Sequence, residues 1–199
     1  MKILPLAYLG SQEWWREALS PDAVIDVGEL YIIQSCRNRT EIATASGRMT
    51  LTANVIKGAS IHKKAVKDMR LDYSKRWQHQ HAVALRSAYK SSPYYDYYAD
   101  RFTPLFEREW ERLVELNMAT LEAVCKTLKI KTPRISDTYI TASEGDLDLR
   151  DKKRGSTLCA EPYIQVFDDR LPFAPNLSIF DLLMCEGPEA INYLRRAKL

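Results

Sequence analysis

Residues 3–27, ILPLAYLGSQEWWREALSPDAVIDV, decide the fold class. Ile3 to Leu9 is a short apolar run that predicts a strand. Ser11 is placed to cap a helix through Trp14, Trp15 and Leu19 to Ser20-Pro21, because its hydroxyl can accept an amide hydrogen that the first helical turn leaves free. Val24-Ile25-Asp26-Val27 is β-branched and bounded by Pro21-Asp22 and Gly28, so it predicts a second strand. A helix between two strands allows a βαβ unit with parallel pairing.

Further strands are expected outward from this unit. Tyr31-Ile32-Ile33 and Asn38 to Thr44 are two of them. In the second, Thr40, Ile42 and Thr44 alternate with Arg39, Glu41 and Ala43. Ala45-Ser46-Gly47-Arg48 is a hairpin turn signal, and Met49 to Ile56 returns with Leu51, Ala53 and Val55 on one side. Gly58 to Lys64 reads as a polar loop, and Val66 to Leu71 as a short strand.

The middle of the chain is helical by period. After Ser74 as N-cap, Trp77, His81, Ala84, Leu85 and Ala88 fall on one face. Ser91-Ser92-Pro93 breaks that helix, and Tyr94 to Tyr98 form a short aromatic helix or turn. A long helix is expected from Thr103-Pro104, with its stripe at Phe106, Trp110, Leu113, Asn117, Leu121, Val124 and Leu128. Thr132-Pro133 closes it. Tyr163 to Phe167 reads as a strand, and Ser178-Ile179-Phe180-Asp181 as a capping box opening an apolar helix to Glu186. Gly187-Pro188 ends that helix, and Glu189 to Arg196 adds a last turn or two. The expected class is α+β or mixed α/β. An N-terminal mixed sheet, a central helical segment and a C-terminal strand-helix returning to the sheet form one domain over residues 1–199.

Composition narrows the function. The chain has 199 residues, 46% hydrophobic and 28% charged, which excludes disorder and a collagen-like fold. No apolar run approaches the ~20 residues that span a bilayer, and Met1 to Pro5 is too short for a secretory core. A cytoplasmic protein without membrane insertion is expected. The net charge of +3 does not call for nucleic acid, and none is expected as a partner. Cys36, Cys125, Cys159 and Cys185 lack C-x-x-C spacing, so free thiols are favoured. The phosphate loops G-x-x-x-x-G-K-[ST] and G-x-G-x-x-G, the G-x-S-x-G elbow and H-E-x-x-H do not occur. Neither a cofactor nor a metal is expected.

The remaining chemistry lies in a few side chains. Arg37 and Arg39, flanking Asn38, share a face of a regular strand, where their guanidiniums could clamp a carboxylate or diphosphate. The same pair also fits a solvated strand edge. His79 and His81 point apart on a helix and cannot share a metal. His81 lies on the apolar face with Trp77 and Leu85. It is either a hydrogen-bonded core residue or the best general acid-base candidate. Asn117 interrupts an apolar stripe, so its amide needs a backbone partner or a ligand. Tyr89, Tyr94, Tyr95, Tyr97 and Tyr98 could line a sugar or base site, or simply pack helices. The end of the first strand followed by the helix start at Ser11 would offer free amides to an anion.

Several segments together carry a family resemblance. They are Cys36-Arg37-Asn38-Arg39, Trp77 with His81, Ala88 to Tyr95, Leu116-Asn117, Tyr163-Ile164-Gln165-Val166-Phe167, Pro175 to Leu183 and Glu186 to Ala190. In this order and spacing the chain resembles the WbqC-like family, and its C-terminal block resembles the branch found in Bacteroides-type bacteria. The resemblance implies a bacterial cytoplasmic protein tied to O-antigen and other surface-polysaccharide clusters. It further implies a transferase that places an amino-acyl group, such as glycyl, on an amino sugar. Family members commonly begin with Gln-Pro-x-Tyr-x-Pro. Here the region reads Leu4-Pro5-Leu6-Ala7-Tyr8-Leu9-Gly10, in which Pro5 and Tyr8 could match while the glutamine and the second proline are absent.

Two expectations follow. In the first, His81 is catalytic, and Arg37, Asn38, Arg39, Tyr8, Trp77, Asn117 and Gln165 bind an anionic or sugar-nucleotide small molecule, with a homodimer as one assembly the chain could form. In the second, the protein is a non-catalytic binding or scaffold component whose tyrosine-rich surface docks a partner.

Overall fold

The computed structural model describes residues 1–58, 61–151, 156 and 161–196. Cys159 and the basic run at 152–154 lie outside them. The βαβ unit forms as its sequence signals require. Strand β1 (Lys2–Pro5) leads to helix α1 (Gln12–Ala18) and strand β2 (Ala23–Asp26), and β1 pairs with β2 in parallel, Ile3 opposite Val24. Ser11 caps α1 by accepting the Trp14 N–H at 3.3 Å. Both strands are buried almost throughout, which suits parallel strands covered on two faces.

Strands β3 (Arg39–Thr44) and β4 (Gly47–Thr52) form the expected antiparallel hairpin, turning at Ala45-Ser46 with Gly47 at φ +106°. Helix α2 (Trp77–Tyr89) buries Trp77, His81, Leu85 and Ala88, the face its period predicts. It starts after Arg76 rather than at Ser74. Helices α3 (Tyr95–Phe102) and α4 (Pro104–Glu107) lead to α5 (Leu113–Leu128), whose Leu113, Asn117, Leu121 and Val124 are buried. Strands β5 (Arg134–Ser136) and β6 (Leu147–Asp148) complete a parallel sheet of order β5-β2-β1-β6. Helices α6 (Ile179–Glu186) and α7 (Ala190–Arg196) follow. A parallel sheet beside an antiparallel pair, with helices packed around both, makes the fold α+β.

The structure departs from the expected elements at five places, each for a non-local reason. Tyr31 to Ile33 is not a strand. The Tyr31 N–H bonds the Lys64 carbonyl at 2.8 Å, and the chain turns at Gln34, with φ +54°. Val66–Asp68 is a 3₁₀ turn, and only Arg70 and Leu71 make bridges, to Arg112 and Val55. The long helix from Thr103 is interrupted between Glu107 and Leu113. There the Glu111 carbonyl accepts the Leu71 N–H and the Leu113 N–H bonds Met69, so tertiary pairing replaces helical bonds. Tyr163 to Phe167 joins no sheet. Gln165 instead holds its loop closed, donating to the Ala174 carbonyl at 3.0 Å and accepting the Ala174 N–H at 2.8 Å. The strands that flank β1 and β2 are β6 and β5. Finally, Ser178 caps α6 through the Phe180 N–H at 3.2 Å, but Asp181 does not close a capping box. The Ser178 N–H goes to the Glu41 carbonyl, and the Asp181 carboxylate turns into the core.

Among the described residues no helix is long and apolar enough to cross a membrane.

Candidate functional site

The sheet order contains a reversal. The chain steps from β1 to β2 to β5 in one direction and then returns to place β6 on the other side of β1. In open parallel sheets such a reversal leaves a crevice at the carboxyl ends of the strands, where connections diverge and ligands bind. Here that crevice is a cavity of about 510 Å³. Leu4 and Pro5 from the end of β1 and Leu149 to Asp151 after β6 line it. Ser11 with Glu13, Trp14 and Glu17 of α1 contribute to the lining, as do Gln34 to Arg37 and Arg39 to Glu41.

Arg37 and Arg39 both reach this cavity but differ in state. Arg37 is fully buried. Its Nε donates to Glu29 Oε1 at 2.8 Å, and its Nη2 bonds Glu29 Oε2 and, at 3.0 Å, the Arg150 carbonyl. Burial raises the Glu29 carboxyl against the pull of this guanidinium fork. Arg39 is half-buried, and its Nε is shielded from solvent with no hydrogen-bond partner among the described residues. One arginine is committed to structure, and the other retains donors for an anion.

Arg150 fixes the part of the lining at the strand ends. It is nearly buried, pairs with Asp26 and Asp148, and donates to the Ile140 carbonyl at 2.9 Å. It thereby ties the carboxyl end of β2 to that of β6. Its carboxylate partners and hydrogen bonds hold the guanidinium charged.

The helix start offers no anion cradle. The Gln12 N–H bonds the Leu177 carbonyl at 3.1 Å and the Glu13 N–H bonds Asn176 Oδ1 at 3.0 Å. With Trp14 held by Ser11, the first-turn amides are all engaged. The expectation of free amides fails because the segment before α6 lies across the end of α1.

His81 stands behind the cavity, not in its lining. Its Nδ1 is 2.9 Å from the Tyr8 hydroxyl, and its ring meets Trp77 edge-on at 5.2 Å. Burial lowers its pKa to about 4, so the imidazole is neutral at pH 7. Burial likewise pushes Tyr8 far up, keeping its phenol protonated. The Tyr8 N–H bonds the Cys36 carbonyl at 2.9 Å, so the aromatic group connects to the cavity through that loop. Asn38 and Asn117 shape the same loop. Asn38 Nδ2 donates to the Ala53 carbonyl at 2.9 Å, and Asn117 Nδ2 to the Arg37 carbonyl at 2.7 Å. Cys36 is among the lining residues, and burial pushes its thiol up to about 11, which keeps it protonated and unreactive at pH 7.

Gln165 belongs to a separate polar group. The Asp181 carboxylate accepts from the Tyr89 hydroxyl at 2.8 Å, from Gln165 Nε2 at 3.1 Å and from the Tyr163 hydroxyl. Gln12 Nε2 in turn donates to the Tyr163 hydroxyl at 2.6 Å. The structure therefore brings Arg37, Asn38, Arg39 and Asn117 together, sets Tyr8, Trp77 and His81 behind them, and places Gln165 elsewhere.

Sequence reasoning passed over Glu17, Glu29, Arg150 and Asp181. A signal for two of them existed, for Arg150 through its partner Asp26 and for Asp181. Asp26 and Asp181 sit within apolar runs, and a carboxylate there requires a buried cation or several donors. Glu17 had no such signal, since acidic residues are ordinary on short helices.

Comparison with known proteins adds three findings. A family model described as the WbqC-like protein family matches residues 23–166. An uncharacterized protein of Mycobacterium tuberculosis, Rv1507c, is 28% identical over 202 aligned positions, covering 83% of this chain and 84% of that protein. No solved structure matches the chain.

Proposed function

This chain belongs to the WbqC-like protein family, and from that premise we propose that it is a transferase of bacterial surface-polysaccharide (O-antigen) biosynthesis that binds a sugar nucleotide. The reaction we assign is transfer of an amino-acyl group, such as glycyl, to an amino sugar. The amine nitrogen attacks the acyl carbonyl, the carrier of the acyl group departs, and a base takes the amine proton.

The observation that carries the reading is the switch-point cavity with Arg39 uncommitted in its wall. A diphosphate is a bidentate acceptor of the kind a guanidinium fork matches. In this proposal Arg39 holds the phosphate. Arg37, Asn38 and Asn117 shape the loop beside it. Tyr8, Trp77 and His81 brace that loop from behind, and Gln165 secures the C-terminal segment. His81 is neutral at pH 7, as a base must be, and the test below decides between proton transfer and bracing.

Calorimetry with a uridine diphosphate amino sugar tests binding. Native protein is expected to bind it, and Arg39→Gln is expected to lose most of the affinity. Equal affinity in both proteins would sink the reading. Mass spectrometry of the sugar nucleotide after incubation with aminoacyl donors tests transfer, the expected product carrying the added acyl mass. His81→Asn lowers turnover at unchanged affinity if His81 moves the proton. It lowers affinity and melting temperature together if His81 braces.

A second reading, a non-catalytic binding or scaffold protein, is favoured by one observation. The tyrosine cluster of Tyr94, Tyr97 and Tyr98 sits at the surface, with Tyr97 74% exposed. Sugar-nucleotide binding without any acylated product would support it.

A further inference from the structure

Glu17 is an unusual residue for a cavity wall. It is 3% exposed, yet it lines the same cavity as Arg39, the first residue of β3. Its Oε2 accepts from Lys2 Nζ at 2.7 Å. Its Oε1 is shielded from solvent and has no hydrogen-bond partner among the described residues. A buried carboxylate oxygen without a donor is costly, so it marks a position that a donor should occupy.

The charge balance identifies that donor. Lys2 already compensates Glu17, so a neutral O–H or N–H completes the site without adding charge. Arg39, in the lining of the same cavity, keeps an unpartnered donor for an anion. We infer that Glu17 and Arg39 form a two-ended subsite for a hydroxyl-bearing anion of the sugar-phosphate class, with Glu17 Oε1 accepting a sugar hydroxyl and Arg39 holding the phosphate. The inference rests on the reading of Arg39 above and adds to it the residue that selects the sugar. Trp14 offers an apolar surface beside Glu17 on the same helix, and Glu13, Glu41 and Asp151 line the cavity as well, so Arg39 is the group there on which a phosphate would rest.

Glucose 1-phosphate and methyl phosphate separate the two ends, since only the first carries sugar hydroxyls. Calorimetry on the native protein should give glucose 1-phosphate an affinity about tenfold higher or more, as expected where a site is built to hydrogen-bond its ligand. Glu17→Met keeps the length of the side chain and removes both oxygens, so no group remains there to pair with a sugar hydroxyl, which could still accept from an amide. The preference should collapse toward unity while methyl phosphate binding stays. Arg39→Gln should weaken both ligands.

Native protein that binds both phosphates equally overturns the inference while leaving the Arg39 reading standing, and this comparison needs no variant. An undiminished preference in folded Glu17→Met, checked by its melting temperature, also overturns it. If neither phosphate binds native protein, this inference fails, and the Arg39 reading stands or falls separately on the uridine diphosphate amino sugar.

Discussion

Two polar regions of this protein are buried to similar depth and do different things. Around Asp181, Tyr89, Tyr163 and Gln165 converge on one carboxylate and Gln165 is anchored to Ala174, and the one shielded atom left without a partner among these described residues is Gln12 Oε1 at the edge of the group. Around the switch-point cavity, the polar groups close only in part. Arg37 and Arg150 are fully engaged by carboxylates, whereas Arg39 and Glu17 each keep a shielded atom without a partner. A satisfied network fixes a fold, because removing any member strands the others. An unsatisfied one marks where something else is expected to bind. Arg37 and Arg39 make the point within one stretch of chain: the same side chain is structural or available depending on whether a carboxylate reaches it.

Four measurements can break this comparison or sharpen it. The largest effect is expected for Arg37→Met, which strands the buried Glu29 carboxylate. Breaking a buried ion pair from one side costs about 3–5 kcal/mol, read by denaturant unfolding. A loss under about 0.5 kcal/mol, the scale of an ordinary surface substitution, would mean that the pair is solvated and that Arg37 is as available as Arg39.

The next effect is pH-dependent. His81 is lowered to about 4 by burial, against an unfolded value near 6.5. A depressed basic group contributes stability that is present above the unfolded value and is lost as pH falls toward the folded one. Between pH 6.5 and 4 the native state should lose about 3 kcal/mol from this group. In His81→Gln the unfolding profile should be flatter across that window. Parallel profiles for the two proteins would show that His81 is open to water and closer to the cavity's solvent than its burial indicates.

Asp181→Asn replaces an acceptor-only carboxylate with an amide that offers one acceptor. At least one of the tyrosine hydroxyls or Gln165 then lacks a partner, at about 1–3 kcal/mol. Chemical denaturation compared with the native protein checks this. No change would mean that water reaches the network and that its satisfaction is not what holds α6 in place. Arg39→Gln should move stability least, by about 0.5 kcal/mol or less as for a surface change, yet abolish most anion binding. A large stability loss there would erase the distinction between the two regions.

Much of the fold was legible in the sequence. The βαβ unit came from a short apolar run, the Ser11 cap and a β-branched strand, all local features. The hairpin at 39–52 came from its alternation and turn, and the buried faces of α2 and α5 from their period. The candidate site was legible only in part. Arg39 and the amide of Asn117 stood out by residue type. The separation of His81 from the cavity, the closure of Arg37 by Glu29 and the part played by Glu17 did not.

The sequence by itself determined which segments are helical or extended wherever a period of two or 3.6 runs for several residues, since burying one face there enforces the local geometry. Only the tertiary structure decided the rest. Strands β5 and β6 span three and two residues, too short to carry a period, and exist because β2 and β1 offer them backbone partners. The helix expected through Arg108 to Arg112 gave way because Met69 and Leu71 compete for its backbone hydrogen bonds. The cavity itself arises from the return of β6 to the far side of β1. Such pairings join residues far apart in the chain, so no local pattern encodes them.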